Sequence, residues 1–322
     1  MIKIFATLLI SIQFLFVSGC SYTDFSLFKY KYNKSYTNIN ENHTRYLTYC
    51  NNMNYINDYN NHSSGLLLGE NKFADMTNKE YNQQRSLRIV NTTDTYKRLN
   101  YTSVPDNMDW RKYGKVTPIK DQGQCGSCWA FSAIESLESA NAIHGESREL
   151  YNLSEQQLVD CSGEYGNDGC GGGLMVNAFK YIVNNGICLN KTYPYVATDG
   201  TCKKCPSVLS IRGYFNVVPN DEEQLKMAVI NNPVSVAIDA SDPTFQFYKS
   251  GIYNISNCGN ELDHAVLAIG FGRDDVYKLD YWIVRNSWGL SWGDSGYIYM
   301  RRNTNDNEGM CGIAMEPSFP IV

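Results

Sequence analysis

An α+β fold, with a helical half followed by a β half, is predicted for the chain of 322 residues by two patterns and one contrast. Residues 128 to about 143 are good helix formers with apolar side chains at helical period. Ser154, followed three residues later by Gln157, has the form of a capping box opening a second helix. Apolar runs at 234–238, 266–270, 281–284 and 296–300 alternate with turn residues, which suggests an antiparallel sheet. The contrast lies upstream: residues 20–103 are polar, rich in Asn, Tyr and Lys and almost free of Gly, whereas Gly is abundant after residue 104.

Length and composition bound the reading. The chain is long enough for about two domains of ~150 residues, and 43% apolar with 19% charged residues is the composition of a packed globular protein. A net charge of -5, from 28 Lys+Arg against 33 Asp+Glu, argues against nucleic acid as a partner and against acidic substrates. Eleven cysteines, an odd number, and only four histidines (His43, His62, His144 and His264) are the two counts that require an explanation.

Taken in order, residues 1–19 have Lys3 as a positive start, an apolar run over residues 4–17, and the small residues Ser18 and Gly19 at a cleavage point. The run of 14 is shorter than the ~18 that a membrane span needs, so a removed secretory signal is expected, with no membrane attachment afterwards. An uncleaved anchor is the alternative, and residues 17–20 also match a lipoprotein box. Eight Asn-x-Ser/Thr sequons, at Asn33, Asn42, Asn61, Asn91, Asn100, Asn152, Asn190 and Asn254, lean toward a eukaryotic secretory route. Oxidising conditions make disulfides the first reading for most cysteines.

Residues 20–103 carry 10 basic and 7 acidic side chains, and residues 104–322 carry 17 and 26, so the two segments have opposite net charge and attract each other. Glu41, Arg45, Tyr49, Asn52, Ile56 and Asn60 recur every three or four residues and share one face of a helix. An ordinary amphipathic helix has the same period.

Next along the chain is a candidate nucleophile. Residues 123–127 are turn-rich and the predicted helix begins at Cys128, where the positive end of the helix dipole favours a thiolate. After residue 104 only two histidines could activate it. His144 is 16 residues along the same helix, about 24 Å away at 1.5 Å per residue, and is expected as an exposed helix-end residue. His264 remains, at the head of the apolar strand in Asp263-His264-Ala265.

Gln122-Gly-Gln-Cys-Gly-Ser-Cys128-Trp-Ala-Phe-Ser, Asp263-His264-Ala265 and Asn286-Ser287-Trp288-Gly289 resemble, in order, the three active-site motifs of the papain family of cysteine proteases. The 41–60 helix face is similar to that family's propeptide signature, with Tyr49 in the place of Phe, and Gly69-x-Asn71-x-Phe73-x-Asp75 matches the second propeptide motif. The resemblance implies a helical inhibitory propeptide over 20–103, its tail lying along the cleft in the non-cleavable direction, with processing near residues 103–105. It implies a two-lobe peptidase over 104–322: a helical lobe carrying Cys128, an antiparallel, β-barrel-like lobe carrying His264, and the cleft between them.

The same resemblance assigns chemistry. Cys128 and His264 would rest as thiolate and imidazolium, by analogy with the Cys–His pair of papain, whose thiol titrates at ~3–4. The Gln122 amide and the Cys128 N–H would stabilise the oxyanion, Asn286 would orient the imidazole, and Trp288 would shield that hydrogen bond from water. Substrate contacts fall on Gly173, Leu174, Met175, Ala237, Leu262, Asp263, Ala265, Trp288 and Trp292, with Glu316 at the base of the pocket for the second residue before the scissile bond (P2). Apolar walls favour Leu, Val or Phe there, and a basal carboxylate accepts Arg. No His-His insertion like the occluding loop of the cathepsin B group is present, so endopeptidase action is expected.

Disulfides carried over are Cys125–Cys170, Cys161–Cys202 and Cys258–Cys311. Cys188 and Cys205 are additional and flank residues 192–195; whether they pair is left open, because connectivity is not deducible from sequence. Cys202-Lys-Lys-Cys205 lacks a second ligand pair, so no metal is expected, and the chemistry needs no cofactor. Implied partners are protein and peptide substrates, the chain's own propeptide and cystatin-like inhibitors, acting on a monomer in a lysosome-like acidic compartment or outside the cell. Two rival functions remain. Cys125-Gly-Ser-Cys128 is a CxxC at a helix start, as in thiol–disulfide oxidoreductases, although the preceding residues 116–121 are broken by Pro and charge; the other rival is a non-catalytic binding protein on a protease scaffold.

Overall fold

Two capped helices organise the N-terminal segment of the computed structural model, which describes residues 20–322 except 64, 86, 88–95, 101, 102 and 257. The expected leader over residues 1–19 and the sequon at Asn91 lie outside the described residues. Helix α1 (Tyr22–Lys31) opens on a capping box in which the Asp24 N–H donates to the Ser21 hydroxyl and the Ser21 N–H donates to the Asp24 carboxylate. Helix α2 (Ile39–His62) starts at Asn38, whose side chain accepts from the Glu41 N–H. A Cys20–Cys50 disulfide ties the two over a small core of Phe25, Phe28, Tyr49 and Ala74.

The shared face of α2 binds the chain just C-terminal to it. The Arg45 guanidinium donates to the Asp75 carbonyl at 3.0 Å and pairs with Glu80 at 2.9 Å; the Tyr49 hydroxyl donates to Glu70 at 2.8 Å. The Asn52 amide donates to the carbonyls of Ala74 and Met76, both at 2.8 Å, and Asn60 exchanges two bonds with the backbone of Leu68. Polar residues on this helix are therefore spent on the backbone of residues 68–76, a run with little regular structure to satisfy its own carbonyls. That run joins β1 (Leu67–Leu68), which pairs antiparallel with Tyr248–Ser250, to α3 (Asn78–Gln83), capped reciprocally by Thr77 and Glu80.

Strands β2 (Tyr96–Lys97) and β3 (Met108–Asp109) precede the central helix α4 (Cys128–His144). Every residue of α4 through Ala142 is buried, because its small and apolar side chains let elements pack on all sides. It packs against α5 (Glu155–Cys161) and α6 (Met175–Asn185) in the helical half. On its other side, the Ser132 and Ser136 hydroxyls donate to the carbonyls of Val266 and Pro233, each at 2.7 Å, which pins the helix to the β half. His144 is exposed at the helix end, its Nε2 2.8 Å from the Asn231 carbonyl. Helix α6 has no side-chain cap at Leu174, so it carries no start signal, but Met175, Ala178, Phe179 and Ile182 recur at helical spacing and are all buried.

The β half contains β4 (Gly213–Val217), helix α7 (Glu222–Asn231), β5 (Val234–Ile238), β6 (Tyr248–Ser250), β7 (Ile252–Tyr253), β8 (His264–Arg273), β9 (Asp280–Arg285), β10 (Tyr297–Arg301) and β11 (Ser318–Ile321). The large sheet runs β2-β4-β11-β5-β8-β9-β10-β7, with β3 paired to β8. Within the peptidase lobe the pairs are antiparallel except β7 with β10, and among the described residues the sheet does not close into a barrel. Strand β2, parallel to β4, is contributed by the N-terminal segment. Strand register aligns the residues of the site. Ile238 stands opposite His264 and Ala237 opposite Ala265, and β9, paired to β8, ends one residue before Asn286.

Candidate active site

Cys128 is the first residue of α4, fully buried, and the free cysteine among the described residues. The turn before it is fixed by the Cys125–Cys170 disulfide and by the Gly126 N–H, which donates to the Cys170 carbonyl at 3.1 Å. Gly123 turns the chain at φ +62°, a conformation that glycine adopts without a Cβ penalty. From the other lobe, His264 opens β8, and the backbone N–H of the next residue, Ala265, favours the Cys128 thiolate. Cys128 and Ala265 lie in one apolar cluster, so the two lobes meet at the thiol.

His264 Nε2 is 2.8 Å from Asn286 Oδ1, while its buried Nδ1 has no hydrogen-bond partner. Trp288 stacks on the imidazole at 4.5 Å and 23°, and Trp292, also fully buried, meets Trp288 edge-on at 5.1 Å. Trp292 therefore sits behind Trp288, packed also against Phe245 and Tyr248. The Gln122 side chain is held at both ends: Nε2 donates to the Cys125 carbonyl at 2.9 Å and Oε1 accepts from the Ser287 hydroxyl at 2.7 Å. A primary amide has two N–H groups, so one donor of Gln122 remains beyond the bond to Cys125.

The N-terminal segment covers this pair. Phe73 and Tyr81 pack edge-on to Trp288, and the Tyr81 hydroxyl donates to the Ala240 carbonyl at 3.1 Å. The Arg85 guanidinium donates to the same carbonyl and pairs with Asp263 at 3.1 Å. Leu87 donates its N–H to the Asp263 carbonyl at 3.3 Å and bridges Gly173 in the parallel sense. A Cβ on Gly173 would stand 2.5 Å from Asn167 Oδ1 and 2.8 Å from the Trp129 ring, so only glycine packs there.

Burial sets the charge state under this cover. It pushes the Cys128 thiol up to about 11, helped by the Asp263 charge and opposed by the N–H groups of Ala265 and Trp129 and by Arg85. It pushes His264 down to about 3, with Arg85 adding to the effect and Asn286 opposing it. Under this cover, to which Tyr81, Arg85 and Leu87 contribute, burial favours the neutral thiol and the neutral imidazole over the charged forms.

The remaining predicted site residues divide between cleft and core. Met175, Ala237, Leu262 and Ala265 lie in one apolar cluster on which Leu87 and Met315 pack, while Leu174 and Glu316 are half-buried. Met315, Arg85 and Leu87 had no signal in the sequence; Ser287 lay inside a motif, where its contact with Gln122 could have been sought. The bonded cysteine pairs are Cys125–Cys170, Cys161–Cys202, Cys188–Cys205 and Cys258–Cys311, together with Cys20–Cys50. Cys125 is thus not joined to Cys128 in a redox CxxC, and Cys202 and Cys205 are bonded to different partners. The described residues contain no cluster of three or more metal-ligating side chains, and none of their helices is long and apolar enough to cross a membrane.

Residues 104–321 match the papain family cysteine proteases and residues 25–81 match the cathepsin propeptide inhibitor domain (I29). The chain is 44% identical over 300 residues to the senescence-specific cysteine protease SAG39 of Oryza sativa subsp. japonica, covering 90% of this chain and 87% of that protein. Among solved structures it superposes on a recombinant stem bromelain precursor with a TM-score of 0.86 at 39% identity, covering 93% of this chain and 98% of that one. It is similar also to digestive procathepsin L 3 of Tenebrio molitor larval midgut, with a TM-score of 0.85 at 36% identity over 93% and 98% of the two chains. The match to the peptidase over most of the chain, with the inhibitor domain ahead of it, makes this chain a member of the papain family of cysteine proteases, carrying its own propeptide.

Proposed function

We propose that the chain is the precursor of a cysteine endopeptidase in which Cys128 attacks the peptide carbonyl and His264 moves the proton. The carrying observation is the bond from His264 Nε2 to Asn286, which leaves the buried, unpartnered Nδ1 for the thiol. Once residues 81–87 leave, water returns and the proton passes from sulfur to Nδ1. The thiolate adds to the carbonyl carbon, and the oxyanion is stabilised by the free Gln122 N–H and the Cys128 N–H, each worth ~3 kcal/mol. The imidazolium protonates the departing amine, and neutral His264 then takes a proton from the water that hydrolyses the thioester.

Direction of binding explains the latency. Leu87 runs parallel to Gly173, the reverse of an antiparallel substrate strand, so the propeptide occupies the cleft without presenting a bond to Cys128. Its Leu87 side chain on the apolar cluster supports Leu-type residues at P2, and half-buried Glu316 supports acceptance of Arg. In Glu316→Ala the Arg/Leu ratio at P2 should fall; an unchanged ratio removes Glu316 from the pocket. Processing is proposed near residues 103–105, in an acidic lysosome-like compartment of the secretory pathway or after export, releasing a monomer that cystatin-like inhibitors would bind.

The test is acid processing of the expressed precursor, followed by hydrolysis of a P2-Leu fluorogenic peptide with and without an epoxide thiol inhibitor. Hydrolysis abolished by the epoxide and by Cys128→Ala is expected. Confirmed processing without hydrolysis defeats the reading.

A further inference from the structure

Ser127 occupies the N-cap position of α4, the helix that begins with the nucleophile, yet its side chain makes no capping bond. A serine there ordinarily accepts from the second or third helical N–H. Instead the Ser127 hydroxyl lies 2.6 Å from the Tyr195 hydroxyl, and Tyr195 donates to the backbone carbonyl of Gln122 at 2.8 Å. A carbonyl only accepts, so the single phenolic proton is committed to Gln122, and Ser127 must be the donor in the other bond. The relay runs from Ser127 through Tyr195 to Gln122. Burial, the largest influence, keeps the phenol protonated well past neutrality.

The two ends of this relay are the two sides of the oxyanion site. Gln122 carries the side-chain donor, and Ser127 immediately precedes the Cys128 N–H. With its hydroxyl turned away, Ser127 makes no side-chain cap on α4, and the Ala130 and Phe131 N–H groups are satisfied by the Ser127 carbonyl. Tyr195 is itself held firmly. Its ring meets Phe131, one turn after Cys128, edge-on at 4.8 Å. Its N–H donates to Asn190 Oδ1 at 3.2 Å, and the following Val196 N–H donates to Gln156 at 2.9 Å. The Cys188–Cys205 bridge closes the loop that contains it, which gives that additional disulfide a task.

We propose that Tyr195 is a positioning residue for the oxyanion site, holding the Gln122 peptide and the start of α4 at a fixed separation and keeping Ser127 from capping the helix end. The inference rests on the oxyanion role proposed above for Gln122 and the Cys128 N–H. In the processed enzyme, Tyr195→Phe removes the hydroxyl and keeps the ring. The expectation is a kcat about tenfold lower with KM unchanged to within about twofold, a loss confined to the transition state. Affinity for a peptide aldehyde, whose hemithioacetal oxygen occupies the same site, should weaken by the same factor. Alkylation of Cys128 by iodoacetamide, a displacement at carbon with no oxyanion, should keep its rate and pH profile.

An unchanged kcat, or an alkylation rate that falls in step with kcat, overturns the proposal. Gln122→Ala in the same assays separates the two readings: if it leaves aldehyde affinity intact, the oxyanion assignment fails regardless of Tyr195. Should Tyr195→Phe yield no folded enzyme, Ser127→Ala breaks the other bond of the relay and carries the same expectation, and an unchanged kcat there overturns it.

Discussion

Arg85 of the N-terminal segment pairs with Asp263, the residue before His264, at 3.1 Å, with the Arg85 side chain almost fully buried. The guanidinium also donates to the Ala240 carbonyl and lies over the Tyr81 ring at 4.3 Å. Truncating one member of a buried, hydrogen-bonded pair costs about 2–5 kcal/mol, largely because the other is left unpaired. Arg85→Ala precursor should therefore leak: hydrolysis of a small peptide by the unprocessed chain at neutral pH should rise by at least about thirtyfold. A precursor as silent as the parent would show that Arg85 does not hold the cover down.

Acid release has a sign that the individual groups decide. Burial raises the Asp263 carboxyl to about 6, against Arg85 and the Ala240 N–H, so between its ordinary 3.8 and 6 the docked state takes up the proton and acid favours docking at this site. The Cys128–His264 pair gives no slope over the middle range, because uncovering moves one proton from sulfur to nitrogen without taking up another. Glu80 has the opposite sign to Asp263. Burial raises it, but the Thr77 N–H and hydroxyl and the Arg45 guanidinium outweigh burial and hold it below its ordinary 4.5. Its contribution to propeptide stability is present above 4.5 and is lost as pH falls through the lower folded value. Glu80→Gln should process faster at pH 5–6 and with a shallower pH dependence below 4.5, read as the rate of precursor loss on a gel. A pH profile superimposable on the parent's would place the trigger elsewhere.

Asn286 tunes the imidazole in a direction that can be checked. Its bond to His264 raises the histidine's affinity for a proton, against the burial that lowers it. A hydrogen bond to a charged group is worth about 1.5–3 kcal/mol, so Asn286→Ala should lower kcat/KM by about ten- to a hundredfold. The alkaline limb of the pH profile should move to lower pH, since the imidazolium loses its proton sooner. Loss of activity with an unmoved limb would assign Asn286 to packing alone.

How much the sequence made legible depends on how local each signal is. Cys128, His264 and Asn286 could be read because a helix start, a strand start and a short motif each announce themselves within a few residues. Strand Val234–Ile238 was legible for the same reason, being a continuous apolar run between turns. Helix α6 was not, because Leu174 cannot cap and the preceding glycines read as loop. Leu87 and Arg85 act through a parallel strand and an ion pair with residues far away in the chain, and nothing in their own neighbourhood encodes the partner. The parallel pair of β7 with β10 was not legible, because it joins segments far apart in the chain.

Between the lobes, Arg285 of β9, next to Asn286, pairs with Glu135 of α4 at 2.9 Å, both side chains being fully buried. Lys120 completes the cluster by pairing with Glu138 at 2.6 Å and with Glu155. Three carboxylates face two cations, so full ionisation leaves one buried negative charge in excess, and a single added proton removes it. Burial first, then Glu138 and Glu155, raise Glu135 to about 7 against the attraction of Arg285 and Lys120. A carboxyl raised in the folded state holds a proton that the unfolded chain has released between pH 4.5 and 7, so stability should fall as pH rises across that window, by at most about 1.4 kcal/mol per unit. Glu135→Gln, neutral at every pH, should flatten this slope, while Arg285→Met, which strands the carboxylates, should cost about 3–5 kcal/mol at pH 7. Urea unfolding of the processed, epoxide-blocked enzyme from pH 4.5 to 7.5 reads both. A parent and Glu135→Gln pair with the same slope would mean that the proton is held elsewhere in the cluster.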